Sequence, residues 1–148
     1  MKTLAIWISA LLLCASAAHA QTAPVPQAPL APLYHALGEK PGIAALMGDF
    51  VDRMKANARI GKLFDEIKPA YLKEQLTDQI CELSGGPCKY EGEEMKKSHE
   101  KLGIDKAQFN LVVEILQAAM DARAIPFSTQ NQLLAKLAPM HRDIITVQ

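Results

Sequence analysis

Large aromatic side chains are scarce in this sequence, at 5% of 148 residues, and its one tryptophan, Trp7, lies within the first twenty. No stretch alternates apolar and polar residues for long enough to make a half-buried strand, so no sheet is expected. The longest apolar run, Leu4 to Ala15, is interrupted by Ser9 and is shorter than the roughly 18 to 20 residues that a membrane helix needs. Charge of one sign is also missing. Sixteen basic and sixteen acidic residues balance, which leaves no electrostatic footprint for nucleic acid or anionic lipid. Glycine-rich phosphate loops, a G-x-S-x-G elbow and an H-E-x-x-H pair are absent, so nucleotide and hydrolytic chemistry find no support. Without C-x-x-C-H there is no covalent haem attachment of the cytochrome c kind, and the spacing of a structural zinc site is lacking.

What is present divides the chain in three. Residues 1–20 read as a secretory signal peptide: Lys2 gives a positive start, an apolar core follows, and Ala18-His19-Ala20 offers small residues at a cleavage site before Gln21. Lipidation at Cys14 is a lesser alternative, disfavoured by the bulky Leu13 before it. Residues 21–32 carry four prolines in twelve positions and read as a linker. Residues 33–148 can form one compact domain and have no room for two. Export of this chain implies a periplasmic or secreted protein with no membrane partner after cleavage.

Within the domain the apolar spacing is helical. Ile43, Leu46, Met47, Phe50 and Met54 form one stripe, which Pro41 is expected to open. Ile60, Leu63 and Phe64 make a brief apolar turn. A second stripe, Leu72, Leu76, Ile80 and Leu83, is opened by Pro69 and stopped by Gly85-Gly86-Pro87. Residues 88–104 are loop-like, with one short helical turn expected around Met95 to Lys101. Phe109, Val112, Val113, Leu116 and Met120 mark a third helix. A fourth is expected from a Ser128 or Thr129 cap through Leu133, Leu137, Met140 and Ile144. The fold class is all-α. Cys81 and Cys88 have six residues between them; an oxidising compartment permits a disulfide, and a buried cysteine beside a loop thiol is the equal alternative.

Histidines are the polar residues with most to say. His35 precedes the first long helix and His141 lies on the last between Met140 and Arg142, where surface or structural roles suffice. His99 instead follows an irregular loop, precedes Leu102 and Ile104, and has no evident structural task. Glu93-Glu94 and Lys96-Lys97 read as a solvated face.

The run Phe50, Phe64, Gly85-Gly86-Pro87, Tyr90-x-Gly92-x-x-Met95-x-x-x-His99-x-x-x-Gly103-Ile104, Phe109 and Ala138-Pro139 resembles the group I truncated haemoglobins over residues 33 to about 146. The resemblance implies a truncated globin fold, a two-over-two helical sandwich, with a non-covalent haem b. His99 takes the place of the iron-binding proximal histidine. Phe64 matches the aromatic that stacks on the porphyrin; Met95, Ile104, Phe109 and Val112 match pocket-lining residues, and Tyr90 an aromatic near the haem edge. A neutral imidazole in an apolar sleeve is suited to that cofactor.

The chain departs from the family pattern on the side where the gas binds. Many members carry a tyrosine after the first conserved Phe, and it hydrogen-bonds the ligand; here that position is Val51. Leu72 and Leu76 occupy the facing positions of the next helix, where glutamine is common at the second; Gln75 is the nearest polar group, ahead of Thr77, Gln79 and Tyr71. The glycine pair typical of the family becomes Gly38-Glu39, with Gly42 close by. The resemblance thus implies a monomeric globin that binds O2, NO or CO reversibly at an open sixth iron position, its partners being the gas and an unidentified electron donor. Haem redox chemistry, such as nitric-oxide dioxygenation, nitrite reduction or peroxidase action, is the enzymatic alternative, and a four-helix interaction module with an incidental His99 is the non-haem one.

Overall fold

The computed structural model describes residues 32–147. The expected signal peptide, and the expected linker apart from Pro32, lie outside those residues. Seven α-helices are described: α1 (Pro32–Ala36), α2 (Glu39–Ala56), α3 (Pro69–Leu83), α4 (Met95–His99), α5 (Lys106–Ala122), α6 (Phe127–Leu137) and α7 (His141–Ile144). A 3₁₀ turn, Gly61–Phe64, precedes α3, and no strand occurs among the described residues. The helices pack as a sandwich in which α6 rests on α1. α2 is its centre, packing on both α3 and α5. No described helix is long and apolar enough to cross a membrane.

The stripe on α2 makes that central position possible. Ile43, Leu46, Met47, Phe50, Val51 and Met54 are all buried, and each large side chain so enclosed contributes about 1.5–3 kcal/mol of transfer free energy. α2 starts two residues before Pro41, which sits inside the first turn where its missing N–H leaves no bond unmade. Gly38 (φ 79) and Glu39 (φ 58) both take left-handed backbone to begin it. The Lys40 N–H, one of the orphan donors of a helix start, donates to the Tyr34 hydroxyl at 3.1 Å. That Tyr34 belongs to α1, a helix the sequence pattern does not announce, anchored by burial of Leu33 and Tyr34.

α3 ends as the Gly-Gly-Pro signal implies. Gly85 is left-handed (φ 87), and the Gly86 N–H returns to the Cys81 carbonyl at 2.8 Å. A Cβ on Gly86 would strike the Tyr34 ring and Cys81 Sγ, so only glycine fits. Of the two readings of the cysteines, the structure shows the disulfide: Cys81 and Cys88 are joined, Cα atoms 5.7 Å apart. Cys81 is wholly buried at the end of α3, so the bridge ties the following loop to the core.

α5 is opened by a capping box. The Gln108 N–H donates to Asp105 Oδ1 at 2.7 Å, and the Asp105 N–H donates to Gln108 Oε1 at 3.0 Å. Replacing Asp105 with alanine should lower stability by about 1 kcal/mol, read as a fall of several degrees in thermal unfolding by circular dichroism. α6 is capped by Pro126, not Ser128 or Thr129; its carbonyl accepts from the Thr129 and Gln130 N–H groups at 2.8 and 3.0 Å. The expected single last helix is broken, because Pro139 has no N–H for the ladder. A 3₁₀ turn, Ala138–Met140, intervenes before α7.

Candidate functional site

A cavity of about 890 Å³ opens between the layers, its wall overwhelmingly apolar. Eleven of the twelve residues that the sequence nominates line it: Phe50 from α2, Phe64 from the 3₁₀ turn, Leu72, Gln75 and Leu76 from α3, Tyr90 from the loop, Met95 and His99 from α4, Ile104, and Phe109 and Val112 from α5. These eleven, up to 62 positions apart in sequence, therefore share one wall. Val51 does not join them. It lies on the α2 stripe with the cavity-lining Met47, Phe50 and Met54, yet is wholly enclosed in the core. The expectation that Val51 faces the ligand is corrected accordingly: its branched side chain is short and is spent on packing.

Two imidazoles border the cavity, and His99 is the partly buried one while His141 is exposed. The His99 ring is held in place. Its Nδ1 lies 2.7 Å from the Met95 carbonyl oxygen, one turn earlier on α4. A carbonyl only accepts, so Nδ1 carries the proton and donates, and the lone pair is left on Nε2. Such a bond orients a ligating imidazole and raises its basicity. Among the described residues, no three His, Cys, Asp or Glu side chains cluster to hold a metal ion. A single imidazole therefore cannot cage a metal by itself. A metal held by His99 would need a chelate to supply its other donors, and a largely apolar chamber of this size has room for a flat macrocycle.

Polar groups in the wall are few. Gln75 Oε1 is buried and has no hydrogen-bond partner, an uncommitted group in an otherwise oily face of α3. Gln79 is buried and its Nε2 makes a weak contact, 3.6 Å, with Met95 Sδ, linking α3 to α4. Burial, with lesser contributions from Tyr71 and Glu93, pushes the Tyr90 phenol above its ordinary pKa. Tyr90 is thus neutral at pH 7 and donates to the Glu93 carbonyl at 3.0 Å. A second clamp on this loop is the Tyr90 N–H, which donates to Glu82 Oε2 at 2.9 Å.

Sequence reasoning passed over several cavity residues. Met47 and Met54 were legible from the stripe that carries Phe50; Leu134 and Leu137 were legible on α6. Gln79, one of the three lesser polar candidates, lines the cavity, while Thr77 and Tyr71 do not. His141, for which a surface or structural role suffices, is exposed as expected and also borders the cavity, its ring 6.4 Å from that of Phe109.

Residues 32–146 match the family model described as bacterial-like globin. The chain is 28% identical over 116 residues to the group 1 truncated hemoglobin GlbN of Mycolicibacterium paratuberculosis, covering 78% of this chain and 85% of that one. It is 22% identical over 113 residues to the group 1 truncated hemoglobin of Tetrahymena pyriformis, covering 76% and 93%. In structure it is similar to the Fe(III) form of the Tetrahymena pyriformis protein, with a TM-score of 0.73 at 22% identity over 76% of this chain and 97% of that one. It also resembles the 2/2 hemoglobin of Synechococcus sp. PCC 7002, solved in the cyanomet state with covalently attached heme, with a TM-score of 0.71 at 18% identity over 76% and 97%.

Proposed function

The chain belongs to the bacterial-like globin family, as a haem-binding globin of the group I truncated type, and from that premise we propose that it takes up a diatomic gas reversibly outside the cytoplasm. The observation that carries this reading is His99, its Nδ1–H committed to Met95 and its Nε2 free, in the wall of the apolar cavity. When bound, the haem iron supplies the coordination position for O2, NO or CO. Phe64, Met95, Ile104, Phe109 and Val112 exclude water from the macrocycle. The proposed cofactor is haem b held without a covalent bond, a reading supported by a cavity that no cysteine lines among the described residues. The protein acts as a monomer, with an electron donor keeping the iron ferrous.

The leader-like residues 1–20 support export, and the Cys81–Cys88 bridge is of the kind that persists in an oxidising compartment. Binding is favoured over dioxygenase turnover by the oily α3 face, where Leu72 and Leu76 offer no donor and only the amides of Gln75 and Gln79 can. Reduced holoprotein exposed to CO, then flushed, should show a reversible shift of its absorption bands. A reduced spectrum indifferent to CO would refute gas binding. Oxygenated protein mixed with nitric oxide should exchange ligand without stoichiometric nitrate; rapid nitrate formation would establish the enzymatic reading instead.

Val51→Tyr tests the missing donor. The longer side chain carries a hydroxyl from the same helix face toward the cavity, and a hydrogen bond to a partly charged ligand is worth about 1.5–3 kcal/mol. Oxygen dissociation, followed by stopped flow, should slow by at least about tenfold. An unchanged rate would show that position 51 does not reach the ligand even as tyrosine.

A further inference from the structure

α4 has only five residues, too few for a helix to hold itself in water, yet it carries His99. Its packing partner is α7, and the chain just beyond α7 fastens the segment that follows His99. The Ile104 N–H donates to Thr146 Oγ1 at 2.9 Å; in return the Thr146 N–H donates to the Ile104 carbonyl at 2.9 Å, and the Val147 N–H reaches the same oxygen at 3.2 Å. Both backbone polar groups of Ile104 are thus committed to residues 146 and 147. Ile104 itself is buried and lines the cavity. Between His99 and this clamp lie a turn closed by the Leu102 N–H on the His99 carbonyl at 3.0 Å, and Gly103 in left-handed backbone (φ 61). Four residues separate His99 from a fixed point, so the clamp sets where α4 can sit.

We infer that Thr146 is a positioning residue for the iron ligand: through its side-chain bond to the Ile104 N–H, the segment after α7 fixes the segment after His99 and thereby sets the iron–imidazole geometry and the hold on haem. This rests on the haem reading above. The Thr146 side chain is exposed, so substitution costs no core packing. A valine in place of Thr146 removes the acceptor for the Ile104 N–H, whereas a serine keeps it.

The test compares wild type, Thr146→Val and Thr146→Ser as full chains. Amide hydrogen exchange on the haem-free proteins reads the clamp directly: in Thr146→Val the Ile104 amide should lose protection, and in Thr146→Ser it should regain it. On the holoproteins, haem loss to an excess of acceptor globin should be roughly three- to tenfold faster in Thr146→Val, the scale of one hydrogen bond, and near wild type in Thr146→Ser. The iron–histidine stretching band of the ferrous protein should shift in the valine variant and return in the serine variant, with helix content equal in all three. Equal haem loss and an unmoved band in Thr146→Val would overturn the inference, as would a serine variant that behaves like the valine one. If wild type itself takes up no haem, the fault lies in the haem reading, while the amide exchange still decides whether the clamp exists.

Discussion

Haem titrated into a His99→Ala variant should fail to stay bound through gel filtration, with affinity lower by more than about a hundredfold. The magnitude follows from comparison: partners that merely orient a metal ligand are worth roughly 10- to 100-fold, and this substitution removes the ligand itself. What remains is an apolar chamber, which still favours a flat macrocycle but offers no bond to its metal. His99→Gly with imidazole added separates the two contributions. The free base should fill the space left at α4 and restore the absorption spectrum of an imidazole-ligated haem without restoring retention in imidazole-free buffer. Because His99 is only partly buried on a five-residue helix at the edge of the fold, circular dichroism of the variant should match wild type. Full haem retention in His99→Ala would mean that another side chain holds the iron, and His141, the other imidazole of the wall, would be the first to examine.

Removing the disulfide should have the second large effect, on stability and not on chemistry. A closed loop of this length restricts the unfolded chain by about 2.5 kcal/mol in the chain-entropy model. The double variant Cys81→Ala with Cys88→Ala should therefore unfold about 10 °C lower. Reduction of the wild type should do the same. The bridge and the Glu82–Tyr90 contact together fasten the loop to the end of α3. The double variant should consequently lose protection first at residues 88–94 in hydrogen exchange, with α2 and α5 unaffected. A melting temperature within about 2 °C of wild type would show that the loop is held by its hydrogen bonds alone, since a shift that small corresponds to well under 1 kcal/mol for a domain of this size.

Much of this architecture is legible in the residue pattern, for a reason that also explains the gaps. α2, α3 and α5 each turn one side of a cylinder to the core, so their apolar residues recur at helical spacing and give themselves away. α1 has five residues and a proline, too short to show a period; it is held by what Leu33 and Tyr34 touch, which no local pattern records. Asp105 and Gln108 carry the spacing of a capping box, so that start was readable and the irregular segment before it concealed it. Pro139 marks a break in the last helix that an apolar stripe running from Leu133 to Ile144 masks. For the site, facing positions on a stripe give direction but not depth. Phe50 reaches the cavity wall, whereas Val51, about 100° further round the helix, is packed into the core. Gln79 ranks below Gln75 in the sequence because no local pattern records that it spans to Met95. The fold and the candidate iron ligand come from repeated or strongly patterned residues; the details of the pocket come from side-chain lengths meeting across three helices.

The central claim is that one macrocycle occupies the cavity with its metal on His99, and titration of the haem-free protein with ferric haem tests it most directly. The account predicts a Soret band that grows linearly to a sharp end point at one haem per chain, and that reaches no such end point in His99→Ala. A wild-type titration that follows the broad, unsaturating curve of haem adsorbing to any apolar surface would contradict it.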